Sequence, residues 1–204
     1  MIKLISLFTM LATLSLTPSA DAHFVWLERD GDGPARAYFG EWIDDIREKT
    51  GGLLDRFKAP RAFLGTSNEL LPVKRNDTNL EINAKGRGDV RFVDDSIPPR
   101  AAKLDLELVP TAPNANTFVL LFFAAPLPKA ELTIIGPSKW EMPLVTDEQG
   151  RVTLPTPWAG RYVLEVTHFD EKAGGSGNEK FNRTRHISSL SFVQQGGIRW
   201  TEKR

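Results

Sequence analysis

The sequence predicts an all-β chain built as a β-sandwich, and three observations carry that reading. Short runs rich in apolar, β-branched and aromatic residues recur along most of the chain. Turn residues separate them at near-regular spacing, as in Asp30-Gly31-Asp32-Gly33-Pro34, Gly136-Pro137 and Asp147-Glu148-Gln149-Gly150. Helical signals are confined to one segment, Asp44 to Phe57. Many short strands bounded by Gly and Pro turns bury their apolar faces by packing sheet on sheet.

Taken in order, His23 to Glu28 (HFVWLE) is an apolar opening strand that ends at the Asp30–Pro34 turn, and Ala35 to Trp42 (ARAYFGEW) is the second strand. In Asp44 to Phe57 charged residues surround Ile46, Gly51-Gly52 interrupts, and Leu53-Leu54 follows; a short helix, a break and one more helical turn are expected. Short strands then run to Val109, among them Glu69 to Lys74, Asn79 to Asn83, Asp89 to Val93 and Lys103 to Val109. The stretch Pro110 to Asn116 (PTAPNAN) is the best candidate for a domain boundary. Beyond it come Thr117 to Ala124, Ala130 to Ile135, Trp140 to Thr146, Arg151 to Leu154, Arg161 to His168 and His186 to Val193.

The first 22 residues read differently. Met1-Ile2-Lys3 is a basic start, Leu4 to Leu16 an apolar run, and Thr17 to Ala22 a small, polar stretch ending in the A-x-A signal Ala20-Asp21-Ala22. That is the pattern of a secretory signal peptide cleaved before His23, with the periplasm as destination. The expected organisation is a signal peptide at 1–22, an N-terminal β subdomain at 23–112, a C-terminal β-sandwich at 113–195 and a tail at 196–204, the two subdomains packed together. The apolar run is too short for a membrane span, and no later stretch is long enough. With 26 basic and 26 acidic residues the chain has no net charge, which argues against nucleic acid and against a polybasic membrane anchor. It has no cysteine, so disulfides, thiolate metal sites and cysteine nucleophiles are excluded, and any metal must be held by imidazole, amine or oxygen.

There are three histidines: His23, His168 and His186. A mature chain starting at His23 offers its α-amine and ring Nδ1 together, a ready chelate. In Arg161 to His168 the even positions are Tyr162, Leu164, Val166 and His168; in the last strand they are His186, Ser188, Leu190 and Phe192. Side chains alternate faces along a strand, so each histidine stands on its strand's more apolar face. With the hairpin in register His168 opposes His186, Val166 opposes Ser188, Leu164 opposes Leu190 and Tyr162 opposes Phe192. Opposed Cβ atoms lie about 4.5–5.5 Å apart, close enough for two imidazoles to share one metal ion. A lone histidine on an apolar face is usually a core or rim residue, whereas an opposed pair gains little from mere packing. The expectation is a metal site of His23, His168 and His186, with copper as the favoured ion and nickel or cobalt as the alternative. Asp170 and Glu41 are candidate oxygen ligands, and both also fit as ordinary surface carboxylates. Arg183 and Arg185 flank the pair and suit an anion or these carboxylates. The loop from Phe169 to Arg185 reads either as a lid or as a solvated hairpin loop.

The segments Pro126 to Thr133 (PLPKAELT), Thr146 to Val152 (TDEQGRV) and Trp158 to Tyr162 (WAGRY) resemble the pattern of carboxypeptidase-regulatory-like and prealbumin-like domains. That resemblance implies an Ig-like/prealbumin-like sandwich for the C-terminal half. The larger arrangement, an exported chain starting at histidine with an EVTH strand and a late RH strand, resembles a bacterial NikM-like periplasmic family. Its name implies nickel or cobalt uptake, with this chain as the soluble partner of a membrane transporter or delivery protein. The N-terminal histidine also resembles the histidine brace of copper-binding CopC-like proteins and lytic polysaccharide monooxygenases.

Other motifs carry less. Arg87-Gly88-Asp89 is a common turn, the sequons at Asn76 and Asn182 matter only in a eukaryotic secretory route, and no G-x-S-x-G, P-loop or H-E-x-x-H is present. Trp140 and Trp158 near turns read as plugs of a sandwich end or as a carbohydrate platform. Three functions therefore compete: a copper carrier or buffer with no catalytic residues, a histidine-brace monooxygenase, and a metal-free interaction module. The first is favoured, since nothing marks a broad aromatic substrate face.

Overall fold

The computed structural model describes residues 23–94, 104–113, 115–176 and 179–199, and within them nearly all of the regular structure is β-strand, mostly antiparallel. The expected signal peptide lies outside the described residues. In the N-terminal half, β1 (Phe24–Arg29) and β2 (Ala35–Glu41) form a hairpin in which Trp26 opposes Tyr38 and Val25 opposes Phe39. β3 (Ile46–Arg47) pairs with the end of β2. One 3-10 turn, Leu53–Arg56, follows, then β4 (Pro60–Leu64), β5 (Val73–Arg75), β6 (Leu80–Ile82) and β7 (Val90–Asp94). One sheet runs β1-β2-β6-β5; β4 and β7 pair separately. Ala35, Ala37, Phe39, Leu54, Ala62, Leu80 and Ile82 share one core.

The segment expected to be largely helical is mostly turn and bridge. Only Leu53–Arg56 coils, and its N-cap residue Gly52 makes no side-chain cap bond. Around Ile46, itself 42% exposed, there is no apolar stripe to hold a helix against the core, so this stretch folds back on β2 instead.

The C-terminal half contains β8 (Leu106–Pro110), β9 (Thr117–Phe122), β10 (Ala125–Pro126), β11 (Glu131–Ile135), β12 (Glu141–Val145) and β13 (Arg151–Thr153). The long β14 (Trp158–Asp170) follows, then the small β15 (Gly174–Ser176) and β16 (Glu179–Phe181), the long β17 (Thr184–Gln194) and β18 (Ile198–Arg199). One sheet is β10-β9-β13 with β8 beside β9; the other is β12-β11-β14-β17. Leu106, Leu108, Phe118 and Leu120 of the first meet Leu132, Ile134, Tyr162, Leu164 and Val166 of the second. This is an all-β sandwich, as the turn spacing predicts. Tyr162 is wholly buried, and its hydroxyl is satisfied by donating to Trp158 O and accepting from Trp158 N, both at 3.0 Å. The Pro110–Asn116 stretch, read in the sequence as a boundary, connects β8 to β9 within one sheet, and Leu106 and Leu108 belong to the C-terminal core. Pro and Asn mark the turn there because they suit turn backbone, whether or not a domain ends.

The two halves share a third core. Phe24, Trp26 and Tyr38 from β1 and β2 pack on Ile135 and Val163 from β11 and β14, with Trp42 alongside. β1 is the edge of its sheet and lies beside β17, the edge of the other: the Ser189 hydroxyl donates to Val25 O and the Ser191 hydroxyl to Leu27 O. Among the described residues no helix is long and apolar enough to cross a membrane.

Candidate functional site

β14 and β17 pair in the register that the parity of their residues predicts. His168 opposes His186, Val166 opposes Ser188, Leu164 opposes Leu190 and Tyr162 opposes Phe192. The even positions of both strands face the β8-β9-β13 sheet, because Tyr162, Leu164 and Val166 belong to that core. The two histidines stand one rung beyond Val166 and Ser188 on this face and are half-buried. The Phe122 ring centroid lies 4.5 Å from that of His168 and 5.0 Å from that of His186, and the Phe123 ring is 5.9 Å from His186. Both imidazoles thus contact one phenyl ring, that of Phe122. Asp170, on the next rung of the same face, accepts a hydrogen bond from Lys172 N at 3.3 Å and so helps turn the chain. Arg183 stacks over the Phe169 ring at 4.4 Å and lies 4.0 Å from Glu171.

His23 stands elsewhere. The opening strand does reach the last hairpin, but through Ser189 and Ser191, odd positions whose side chains leave the opposite face from His186. The His23 ring packs 5.4 Å from Phe39 on the N-terminal core, with Nε2 2.7 Å from Glu48 Oε1 and Nδ1 3.5 Å from Glu41 Oε1. All three side chains are about four-fifths buried, at 19%, 17% and 22% exposure for His23, Glu41 and Glu48. Among the described residues no group of three or more His, Asp, Glu or Cys side chains is set to hold one metal ion. The structure therefore brings His168 to His186 and His23 to Glu41, as two separate constellations.

The hairpin explains the second one. Arg29 opposes Ala35 across the turn and Phe24 opposes Gly40, so the next rung puts His23 against Glu41. Glu48 comes in through β3: its backbone N–H donates to Phe39 O at 2.8 Å, immediately after the Gly40–Arg47 pair. Gly40 makes that approach possible. Its φ is +142°, and a Cβ there would sit 2.1 Å from Ile46 O. The Glu41 pairing was legible from the turn; Glu48 was not, because its segment read as helix.

A further carboxylate escaped the sequence reading. Glu165 is an odd-position residue of β14, on the face that the alternation assigns to solvent. It is half-buried instead, and burial, then the negative charges of Glu141 and Glu41, push its pKa up to about 8. The signal was the run Tyr162-Val163-Leu164, apolar on both faces, as in a strand covered on both sides. A shallow hollow beside it is lined by Glu131, Thr133, Pro143, Glu165 and Thr167. Trp140 and Trp158 contact edge to face at 5.3 Å, and Trp140 packs on the C-terminal core, as plugs of a sandwich end do. No protein-family model, curated protein or solved structure matches the chain.

Proposed function

We propose that this is an exported, periplasmic transition-metal-binding protein, copper favoured, which carries or buffers the ion or passes it to a membrane transporter or delivery partner. The observation that supports it is the direct opposition of His168 and His186 on one face. Cβ atoms at such positions are about 4.5–5.5 Å apart, and two imidazole nitrogens can each approach one ion at about 2.0–2.1 Å. The Phe122 ring limits water on the inner side, while half-exposure leaves the outer side open to an incoming ion or a partner's ligand. Imidazole ligands without thiolate suit copper, which heads the divalent affinity order. Nickel or cobalt is the second reading, favoured by the NikM-like resemblance of the EVTH and RH strands.

Calorimetric titration with Cu(II) tests the reading. Replacing both His168 and His186 by alanine removes one binding equivalent, and either single replacement weakens that equivalent at least about tenfold, the loss of one of two ligands. Binding weakens as pH falls, because a ligating imidazole must be unprotonated. A double variant that binds as many equivalents as tightly as the wild type would overturn the proposal. Displacement of Cu(II) by equimolar Ni(II) or Co(II) would decide for the second reading.

A further inference from the structure

We propose that the open end of the β12-β11-β14-β17 sheet, on the face opposite the histidine pair, docks an extended segment of a partner protein and holds its arginine side chain between Glu131 and Glu165. The inference stands apart from the metal reading, since His168 and His186 leave the other face of the same strands.

Three observations carry it. The first is where the cover stops. On this face the registers place Glu141, Ile135, Val163 and Ser191 in one rung and Pro143, Thr133, Glu165 and Ser189 in the next. The pairs Val145 with Glu131 and Thr167 with Ile187 follow. Phe24, Trp26 and Tyr38 pack on Ile135 and Val163, and the Ser189 hydroxyl donates to Val25 O. One rung further out, Val145 is 58% exposed and Ile187 46%. The second is the hollow between these rungs, about 250 Å³, with Glu131 and Glu165 both on its lining. Glu165 is half-buried there, and its carboxyl has no hydrogen-bond partner among the described residues. The third is charge. The groups facing Glu165 are acidic: Glu131 from β11, Glu141 from β12 and Glu41 from β2, with His23 beside Glu41. Arg185 stands two rungs outward of Ser189 on β17, opposite Phe169.

These features select the occupant. Glu131 and Glu165 lie at diagonal positions of neighbouring strands, about 7–8 Å apart. A planar guanidinium, with five donors in a fixed fork, bonds a carboxylate on each edge at that span, where a lysine ammonium is only a point charge. The flanks ask for an extended segment. Val145 on β12 and Ile187 on β17 are three strand spacings apart, about 14 Å. The first and fifth residues of an extended chain stand about 13–14 Å apart, and the third points to the same side as both. A segment crossing the strands with arginine at its centre and apolar residues two places to either side therefore covers Val145, the hollow and Ile187 together.

The test titrates the protein with the blocked peptide acetyl-Val-Ser-Arg-Ser-Val-amide, read by backbone amide shifts in NMR and by calorimetry. The same peptide with citrulline for arginine is the neutral control. The arginine peptide shifts the amides of β11, β12 and β14 around the hollow and binds about ten- to a hundredfold tighter than the control, the worth of a hydrogen bond to a charged group. Glu165→Gln and Glu131→Gln each weaken it at least about tenfold, and Val145→Ser about three- to tenfold. Arginine keeps its charge throughout, so wild-type affinity rises about tenfold between about pH 7 and pH 9 as Glu165 ionises, and Glu165→Gln removes that rise. Glutamine has the shape of the neutral carboxyl, and circular dichroism checks the fold of each variant. Equal affinity for the two peptides, or arginine binding unchanged in both glutamine variants, would overturn the inference. Amide shifts confined to another surface, or none at millimolar peptide, would do the same, and each of these results leaves the metal reading untouched.

Discussion

Glu165 shows how a single residue changes meaning on folding. An odd position in a strand whose even positions are apolar reads as solvent-facing, yet burial and two neighbouring carboxylates hold this one protonated far above the usual range, with a pKa of about 8. A carboxyl with a raised folded pKa favours the native state most at low pH. Its contribution is complete below the unfolded pKa of about 4.5 and is lost as pH rises through about 8. The loss is about 5 kcal/mol at most, less to the extent that solvent reaches the group. Glu165→Gln should therefore melt within a degree or two of wild type at pH 5 and several degrees above it at pH 9. Calorimetry at the two pH values checks this, and equal melting temperatures at pH 9 would refute it.

Among the elements, the strands with strict alternation were the most legible. In β14 and β17 a period of two places His168, Val166, Leu164 and Tyr162 opposite His186, Ser188, Leu190 and Phe192, because one residue of slip would turn the whole apolar set outward. The Asp44–Phe57 segment was the least legible, since its charged residues fit helix or turn equally well and β2 decided between them. That decision runs through Gly40, which has both a left-handed φ and β3 against its Cα. Gly40→Ala should destabilise the protein by about 2–4 kcal/mol, from strain and from the displacement of Ile46. Urea unfolding measures the loss.

At the scale of the whole molecule, the junction of β1 with β17 decides how the histidines group. Ser189 and Ser191 anchor the edge of one sheet to the edge of the other, and Phe24, Trp26 and Tyr38 fill the space beside them. Each serine bond is worth about 1 kcal/mol. Replacing both serines by alanine should cost about 2 kcal/mol and expose the buried Trp26, shifting its fluorescence to the red. A variant with unchanged stability and emission would mean that the apolar cluster alone holds the halves together.

The sequence by itself determined the all-β class, most strand positions, the exclusion of cysteine chemistry and the facing of His168 and His186. These rest on local propensity and on a period of two, both properties of neighbouring residues. Only the tertiary structure decided which face of β17 the opening strand approaches, and hence that His23 stands apart from His168 and His186 and that Glu165 is half-buried beside Glu41. The reason is physical: alternation specifies two faces for every strand, but what covers each face depends on segments more than a hundred residues away in the chain.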